Sequence, residues 1–333
     1  MKKKIAIVAG GDSSEAEISY KSAEQLALML DNNLYDIYII AIHAKEWKGI
    51  SNNCKEVVIN KADFSLSIDN VKIAFDCVFI AIHGTPGENG ILQAYFELLE
   101  IPYTSSGVFS SALTFNKYAT KLLLNNYNIP YARTILHRKG EKTDTSLLVK
   151  ELGLPLFIKP NRAGSSFGVS KVKNEMDIHK ALEKAYTEDD EVLIEQYIQG
   201  TELTCGIIKT VDKEIVFPVT EIVSKTEFFD YRAKYEGMSE EITPARIPDA
   251  ISKECQAMTS HIYDITKCHG VVRMDYFLCG GKLYFNEINS VPGMSSSSIV
   301  PQQIRAMGLN PGDIFSMAIE DAIIRATKKR KRK

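Results

Sequence analysis

Apolar runs and amphipathic segments alternate along the first third of the chain. Residues 5–9 are apolar and end at Gly10-Gly11, which predicts a buried parallel strand followed by a loop. Apolar positions at helical spacing predict a helix over 19–30. Further strands are predicted at 35–42, 77–82 and 101–104, and a further helix at 92–100. This alternation predicts an α/β fold that begins with an open parallel sheet covered by helices, with ligands bound at the carboxyl ends of its strands.

The remainder of the chain mixes helices with antiparallel pairs. A strand ending at 157–160, a loop of Gly and Ser over 161–168 and a strand over 169–172 predict a hairpin lid. Taken alone, such a loop is also typical of an ordinary turn. Other elements are helices predicted at 118–127, 177–186 and 251–267, strands at 192–195, 203–209 and 214–220, a polar loop at 226–244, and a hairpin formed by 271–278 and 282–288.

The last predicted hairpin carries a group of oxygen ligands. Strand alternation places Glu287 and Asn289 on one face, with Asp275 on the partner strand. Two carboxylates and an amide oxygen favour Mg²⁺ shared with nucleotide phosphates. The alternative, a solvated sheet face, is disfavoured by the apolar neighbours of these residues, since unpaired carboxylates are costly to bury. Arg273 projects to the face of Asp275, where a cation suits a phosphoryl group or an oxyanion.

Two further segments suit a nucleotide. Lys159 precedes the Gly and Ser loop, so its charge and the backbone N–H groups of the loop can hold phosphates. The loop does not have the spacing of an ordinary P-loop. Glu195-Gln196-Tyr197-Ile198 follows a strand and suits an adenine edge, and Glu202 suits ribose hydroxyls, although a strand end rich in Glu is also typical of a solvated surface.

Composition narrows the class of protein. With 333 residues, 45% hydrophobic and 25% charged, the chain is expected to form two or three globular domains. The net charge of −2 gives no general attraction for nucleic acid. The basic run at 328–333 suits RNA or anionic lipid, but is more typical of a frayed helix end.

Location is predicted from the cysteines and the absence of a long apolar run. The six cysteines have neither CxxC nor zinc-site spacing and are expected to be free thiols in a reducing compartment. A run of only five apolar residues follows Met1-Lys2-Lys3-Lys4, and no run reaches the length of a membrane span, so we expect a cytoplasmic protein that binds neither membranes nor nucleic acid.

Motifs in a fixed order carry a resemblance to a known family. They are GGDSSE (10–15), HGTPGENG (83–90), IPYTSSGV (101–108), NK (116–117), KP with GSSFG (159–168), FDYRAKY (229–235), RMD (273–275) and EINSVPGMS (287–295). The chain resembles the D-alanine–D-alanine ligases of the ATP-grasp superfamily over nearly its whole length. The resemblance implies an ATP-grasp fold of three domains: an N-terminal substrate-binding domain (1–104), a central domain (105–196) and a C-terminal domain (197–333) with the mobile loop 226–244. ATP lies between the last two.

The resemblance also implies a reaction and its residues. ATP phosphorylates the carboxylate of one D-alanine, and the amine of a second D-alanine attacks the acyl phosphate. Two Mg²⁺ ions, for which Mn²⁺ can substitute, and a homodimer are expected. The implied residues are Glu15, His83, Ser298 and Ile299 for the amino acids; Lys117, Lys159, Ser165, Ser166, Glu195, Gln196, Ile198, Glu202, Phe228 and Lys234 for ATP; Asp275, Glu287 and Asn289 for the metals; and Glu15, Ser165, Tyr235, Arg273, Gly293 and Ser298 for catalysis.

A few positions depart from the family pattern. They are Ala16, Asn89, Asn116 and Ala163, where the family often has arginine, aspartate, aspartate and glutamate. Ala16 and Asn89 lie near the implied first-substrate pocket and bear on substrate preference, whereas Tyr235 goes with an amine acceptor. The alternatives are a D-lactate or D-serine acceptor, a non-catalytic nucleotide-binding relative, and an RNA-associated protein acting through its basic tail.

Overall fold

Three main sheets organise the chain. The structure, a computed structural model, describes residues 2–13, 15–44, 46–50, 56–164, 166–224 and 239–331. Its helices are α1 (Ala16–Met29), α2 (Ile91–Leu98), α3 (Val108–Phe115), α4 (Lys117–Asn125), α5 (Thr145–Leu152), α6 (Ile178–Ala185), α7 (Asp249–Ile265), α8 (Ile299–Ala306) and α9 (Pro311–Arg330).

The first sheet is parallel at its centre. Its strands are β1 (Lys3–Gly10), β2 (Tyr35–His43), β3 (Glu46–Ile50), β4 (Glu56–Val58) and β7 (Cys77–Ile80), in the order β4-β3-β2-β1-β7. A separate pair is formed by β5 (Leu66–Ile68) and β6 (Val71–Ile73). Strand β1 pairs in parallel with both β2 and β7, as the sequence predicts. The strand predicted at 101–104 is reduced to one parallel bridge between Val78 and Tyr103.

The second sheet is antiparallel. Its strands are β8 (Thr134–Arg138), β9 (Leu156–Pro160), β10 (Ser170–Val172) and β11 (Glu191–Gln196), in the order β10-β9-β11-β8. The predicted pairing on either side of the Gly and Ser loop is confirmed, because Ser170 lies opposite Ile158. Helices α5 and α6 cover this sheet and contribute Leu148, Leu152 and Leu182 to its core.

The third sheet carries the predicted C-terminal hairpin. Its strands are β12 (Thr201–Lys209), β13 (Glu214–Val216), β14 (Thr220–Ser224), β15 (Ser239–Ile242), β16 (Gly270–Cys279) and β17 (Lys282–Asn289). The order is β15-β14-β12-β16-β17, and β13 pairs with β12. The prediction of a single strand over 214–220 is wrong, because this segment divides into β13 and β14. Pro218 lies between the two and has no N–H with which to continue the ladder.

Apolar packing joins the first and third sheets. Helix α9 buries Ile314 and Phe315 in a core that contains Ile7 of β1 and Ile208 of β12. The basic end of α9 is partly paired, since Lys329 and Arg330 form ion pairs with Glu97 and Glu100. Across the described ranges, no helix has the length and apolar character needed to cross a membrane. The three-domain boundaries stay a prediction.

Candidate active site

One cavity of about 900 Å³ is lined by α1, by the loop after β7 and by residues of the second and third sheets. Most of the residues implied by the motifs line it. They are Glu15, His83, Lys117, Lys159, Ser166, Glu195, Gln196, Ile198, Glu202, Arg273, Glu287, Asn289, Gly293, Ser298 and Ile299. Asp275 is not among them; it is buried beside Arg273, which does line the cavity. The predicted residues Ser165, Phe228, Lys234 and Tyr235, with most of the predicted loop 226–244, lie outside the described residues.

Asp275 lies at the centre of a dense hydrogen-bond network. Arg273 donates to it twice, from Nε to Oδ1 at 2.9 Å and from Nη2 to Oδ2 at 3.0 Å. Thr204 donates to Oδ1 at 2.6 Å, and Asn289 donates its amide N–H to Oδ2 at 3.0 Å. The predicted convergence of these side chains is therefore present, and the carboxylate fixes the guanidinium of Arg273 at the cavity wall.

Glu287 lies directly opposite Asp275 in the hairpin and faces the cavity. Its Oε2 lies 3.6 Å from Nζ of Lys117, which also donates to the carbonyl of Ala163 at 2.6 Å. In the described part of the chain, no three His, Cys, Asp or Glu side chains cluster as a metal site would. Asp275 and Glu287 supply two carboxylates, and Asn289 with substrate oxygens would complete a hard-cation site.

A buried ion-pair network lies at the second sheet. Glu195 is 4% exposed and forms ion pairs with Lys159, at 2.8 Å, and with Lys121. Burial by itself would raise the pKa of Glu195, but the two lysines outweigh burial and hold that pKa at about 2. Lys159 also donates to Oδ1 of Asn286, which places its ammonium group between the second and third sheets.

Glu15 meets the Gly and Ser loop across the cavity. A Cβ atom built on Gly164 would lie 2.2 Å from Oε2 of Glu15, so a side chain at position 164 would displace the Glu15 carboxylate. His83 is buried nearby, and burial lowers the pKa of its imidazole despite the opposing effect of Glu15. Its Nδ1 lies 2.9 Å from the carbonyl of Val291, which can only accept, so Nδ1 carries the proton and Nε2 accepts from Ser22.

The segment after β17 also lines the cavity. Ser298 precedes α8, and its Oγ lies 2.7 Å from Oγ of Ser295. A Cβ atom on Gly293 would lie 2.7 Å from Oγ of Ser298, so the glycine packs closely on this turn. Hydroxyl groups beside a helix N-terminus suit a carboxylate ligand.

Comparison with known proteins supplies the family. The family models described as "D-ala D-ala ligase N-terminus" and "D-ala D-ala ligase C-terminus" match residues 4–106 and 123–320. The chain belongs to the D-alanine–D-alanine ligase family. A relative from Phocaeicola vulgatus, named D-alanine–D-alanine ligase, is 49% identical over 96% of this chain and 99% of its own length.

Solved structures of the family share the ATP-grasp fold of this chain. The D-alanine–D-alanine ligase of Coxiella burnetii has a TM-score of 0.88 at 28% identity, covering 99% of this chain and 96% of its own. The VanG D-Ala:D-Ser ligase of Enterococcus faecalis has a TM-score of 0.83 at 33% identity, covering 97% of this chain and all of its own.

Two residues of this ligase-family site were not assigned a role from the sequence. Glu88 lies within the HGTPGENG motif and is buried between loops; it accepts from the N–H groups of Gly84, at 2.9 Å, and Val291, at 3.1 Å. Burial, with a smaller contribution from the charge of Glu15, raises the pKa of Glu88 to about 7. Lys121 was missed although it lies four residues after Lys117 on α4, a spacing that places both on one helix face.

Proposed function

We propose that this chain joins two D-alanines to D-alanyl-D-alanine, converting ATP to ADP and phosphate, for the synthesis of peptidoglycan precursors. The observation that carries the proposal is the single cavity in which Glu15, Lys117, Lys159 and Arg273 converge from separate parts of the chain. Full-length relatives that bear the ligase name support it.

The donor amino acid binds beside Glu15. The carboxylate of Glu15 pairs with the donor ammonium group, and the neutral imidazole of His83 closes the same wall without adding charge. Because Gly164 approaches Glu15 so closely, binding of the donor is coupled to the position of the Gly and Ser loop. The donor carboxylate then points toward the lysines that hold the nucleotide.

ATP lies between the second and third sheets. Lys117 and Lys159 bind phosphates. Lys117 exchanges its contact with Glu287 for a phosphate oxygen, and Lys159 exchanges its ion pair with Glu195 in the same way. Adenosine contacts are assigned to Glu195, Gln196, Ile198 and Glu202, which line the same side of the cavity. Ser165, Ser166, Phe228 and Lys234 complete the nucleotide site. A structure of the Bacillus anthracis D-alanine–D-alanine ligase complexed with ATP, with a TM-score of 0.79 at 28% identity, supports ATP as the nucleotide.

Two Mg²⁺ ions, or Mn²⁺ in their place, are assigned to Asp275, Glu287 and Asn289. The donor set fits, since it offers only carboxylate and amide oxygens on two paired strands. Bound there, the ions neutralise phosphate charge. Of the protein's own groups, Asp275 orients Arg273, and the side-chain oxygen of Asn289 remains for a cation because its N–H already donates to Asp275.

Charge that develops on the acyl carbon's oxygen is stabilised by fixed donors. Arg273 and the backbone of Gly293 lie on one wall and serve as the oxyanion site. Ser298 and Ile299 bind the carboxylate of the second D-alanine at the start of α8. Ser165 and Tyr235 are assigned to closing the site over the acyl phosphate, which water would otherwise hydrolyse.

The acceptor distinguishes the proposal from its nearest alternative. VanG, named a D-Ala:D-Ser ligase, is 33% identical to this chain, so D-serine is the acceptor to test against D-alanine. The direct experiment measures phosphate release from Mg-ATP with D-alanine alone and identifies the product by mass spectrometry. D-alanyl-D-alanine is expected; no phosphate release at millimolar D-alanine would contradict ligation. Dominant D-alanyl-D-serine or D-alanyl-D-lactate from mixed acceptors would contradict the acceptor only.

The proposal also covers the location, the domain division and the oligomeric state of the protein. A cytoplasmic location follows from the need for ATP. The division into domains 1–104, 105–196 and 197–333 is supported by the residue ranges of the three main sheets, and limited proteolysis tests it. A homodimer is supported by exposed apolar side chains on α2 and α3, where Leu98 is 84% and Phe109 is 70% exposed. Sedimentation would show twice the chain mass, and a Leu98→Glu variant is expected to sediment as a monomer.

A further inference from the structure

Glu241 faces the cavity from the strand that follows residues 225–238. On the third sheet it lies opposite Ile222, which lies opposite Glu202, which in turn lies opposite Phe277. Directly paired residues share a face, and Phe277 shares its face with Asp275 and Arg273 by strand alternation. Glu241 therefore projects from the same side of the sheet as the oxyanion arginine, and it lines the cavity.

Gln302 holds Glu241 against the serine turn at 295–298. The Nε2 atom of Gln302, on α8, donates to Oε2 of Glu241 at 2.6 Å and to the carbonyl of Ser297 at 2.7 Å. Both contacts involve one nitrogen, so the carboxylate oxygen lies beside the backbone of Ser297. Ser298, assigned to the acceptor carboxylate, is the next residue. The Glu241 carboxylate is thus fixed beside the turn that carries the proposed acceptor site.

The pairing of Glu241 differs from that of three other carboxylates that line the cavity. Glu195 has two lysines, Glu287 has Lys117, and Glu221 has Arg246. Within the described ranges, Glu241 has the neutral amide of Gln302 as its hydrogen-bond partner and no ion pair. Burial raises the pKa of Glu241, against smaller lowering effects of Gln302 and Arg273. A partly buried carboxylate of this kind is stabilised by a cation that arrives with a ligand.

We propose that Glu241 binds the ammonium group of the second, acceptor amino acid and accepts a proton from it. The assignment rests on the proposed ligation and adds a residue to it. One ammonium proton passes to the Glu241 carboxylate, and the freed nitrogen lone pair forms the C–N bond to the acyl carbon. The C–O bond to phosphate breaks with its electron pair on phosphate, which takes the second nitrogen proton and leaves as hydrogen phosphate.

The neighbouring residue provides a matched control. Glu240 is exposed and its side chain projects from the other face of the same strand, so Glu240→Gln removes the same charge away from the cavity. The experiment compares Glu241→Gln, Glu240→Gln and the unaltered enzyme, using D-alanine saturation to obtain separate KM values for donor and acceptor. Thermal unfolding of each protein shows whether it is folded.

A selective acceptor defect is the expected result. Glu241→Gln should raise the acceptor KM and lower kcat by about tenfold or more, with donor and ATP KM values within about twofold of the unaltered enzyme. The acidic limb of kcat/KM for the acceptor should be lost in Glu241→Gln alone. Glu240→Gln should behave as the unaltered enzyme.

Other outcomes overturn the assignment. An acceptor KM in Glu241→Gln equal to that in Glu240→Gln, or donor and acceptor KM values that rise together, would leave Glu241 without this role. If Glu241→Gln does not fold, Gln302→Ala is the deciding variant, because it keeps the Glu241 carboxylate but removes the hydrogen bond that holds it. An unchanged acceptor KM in Gln302→Ala also overturns the proposal. An unaltered enzyme that releases no phosphate contradicts the ligation itself, which separates the two failures.

Discussion

Glu88 accepts a hydrogen bond from the backbone N–H of Val291 at 3.1 Å, although the two residues are 203 positions apart. The carbonyl of the same Val291 accepts from His83, five residues before Glu88. The loop after β7 therefore binds both the N–H and the carbonyl of Val291, which lies just after the last strand of the third sheet. Gly293 follows two residues later, so this contact positions the proposed oxyanion site relative to the donor pocket.

Replacing Glu88 should disturb both stability and catalysis. In Glu88→Gln one oxygen becomes an NH₂ group that faces a backbone donor, and an unpaired buried N–H costs roughly 1–3 kcal/mol. A displaced 291–293 segment should lower kcat/KM by about a hundredfold. Urea unfolding and phosphate release measure the two effects. Glu100→Gln, which removes an exposed charge that pairs with Arg330, is the control. Equal behaviour of the two variants would contradict a positioning role.

The Glu195 network should make the protein sensitive to acid. The pKa of Glu195 is about 2 in the folded protein, against an ordinary value of 4.5. Between these values the unfolded chain binds more protons, so the stabilising contribution of Glu195 is present above pH 4.5 and is lost as the pH falls toward 2. The full shift corresponds to roughly 3 kcal/mol.

Glu195→Gln provides the comparison for this pH dependence. The variant leaves Lys121 and Lys159 buried without their carboxylate, so it should be destabilised at neutral pH by roughly 3–5 kcal/mol. Its deficit relative to the unaltered protein should shrink as the pH is lowered below 4.5, because protonation of Glu195 in the unfolded chain then removes the stabilising contribution of the carboxylate from the unaltered protein. Urea unfolding across this range measures the difference. A deficit that stays constant with pH would show that Glu195 is not held ionised by the lysines.

Local patterns predict much of the fold and some of the site. Strand alternation places Glu287 and Asn289 on one face, but Asp275 lies opposite Glu287 only because the pairing of the hairpin shifts by one residue between Asp275 and Tyr276, which counting from the turn does not predict. The parallel pairing of β1 follows from apolar runs that end in glycine. By contrast, the contact between Glu88 and Val291 depends on how distant sheets pack, and no periodicity in either segment carries that information. Pro218 predicts the division between β13 and β14, but the apolar run around Pro218 favours a single strand.

The metal assignment predicts a specific defect for Glu287. Removing one charge from an oxygen site weakens cation binding, and Glu287→Gln should raise the Mg²⁺ concentration for half-maximal activity by about 10–100-fold. Excess Mg²⁺ should restore part of kcat, whereas a chelator should abolish turnover in all variants. Glu254→Gln, an exposed change on α7, is the control. The same Mg²⁺ dependence in both variants would remove Glu287 from the metal site.

The approach of Gly164 to Glu15 gives a test of the donor pocket that spares the fold. An added methyl group would lie 2.2 Å from Oε2 of Glu15, so Gly164→Ala must displace that carboxylate. The donor KM should therefore rise by about tenfold or more, while the melting temperature changes little, since the altered group lies in a cavity wall. Gly107→Ala is the control, because a Cβ there meets its nearest neighbours at 3.9 Å. If Gly164→Ala instead raised the acceptor KM and left the donor KM unchanged, Glu15 would belong to the second pocket, and the two amino-acid sites proposed above would have to be exchanged.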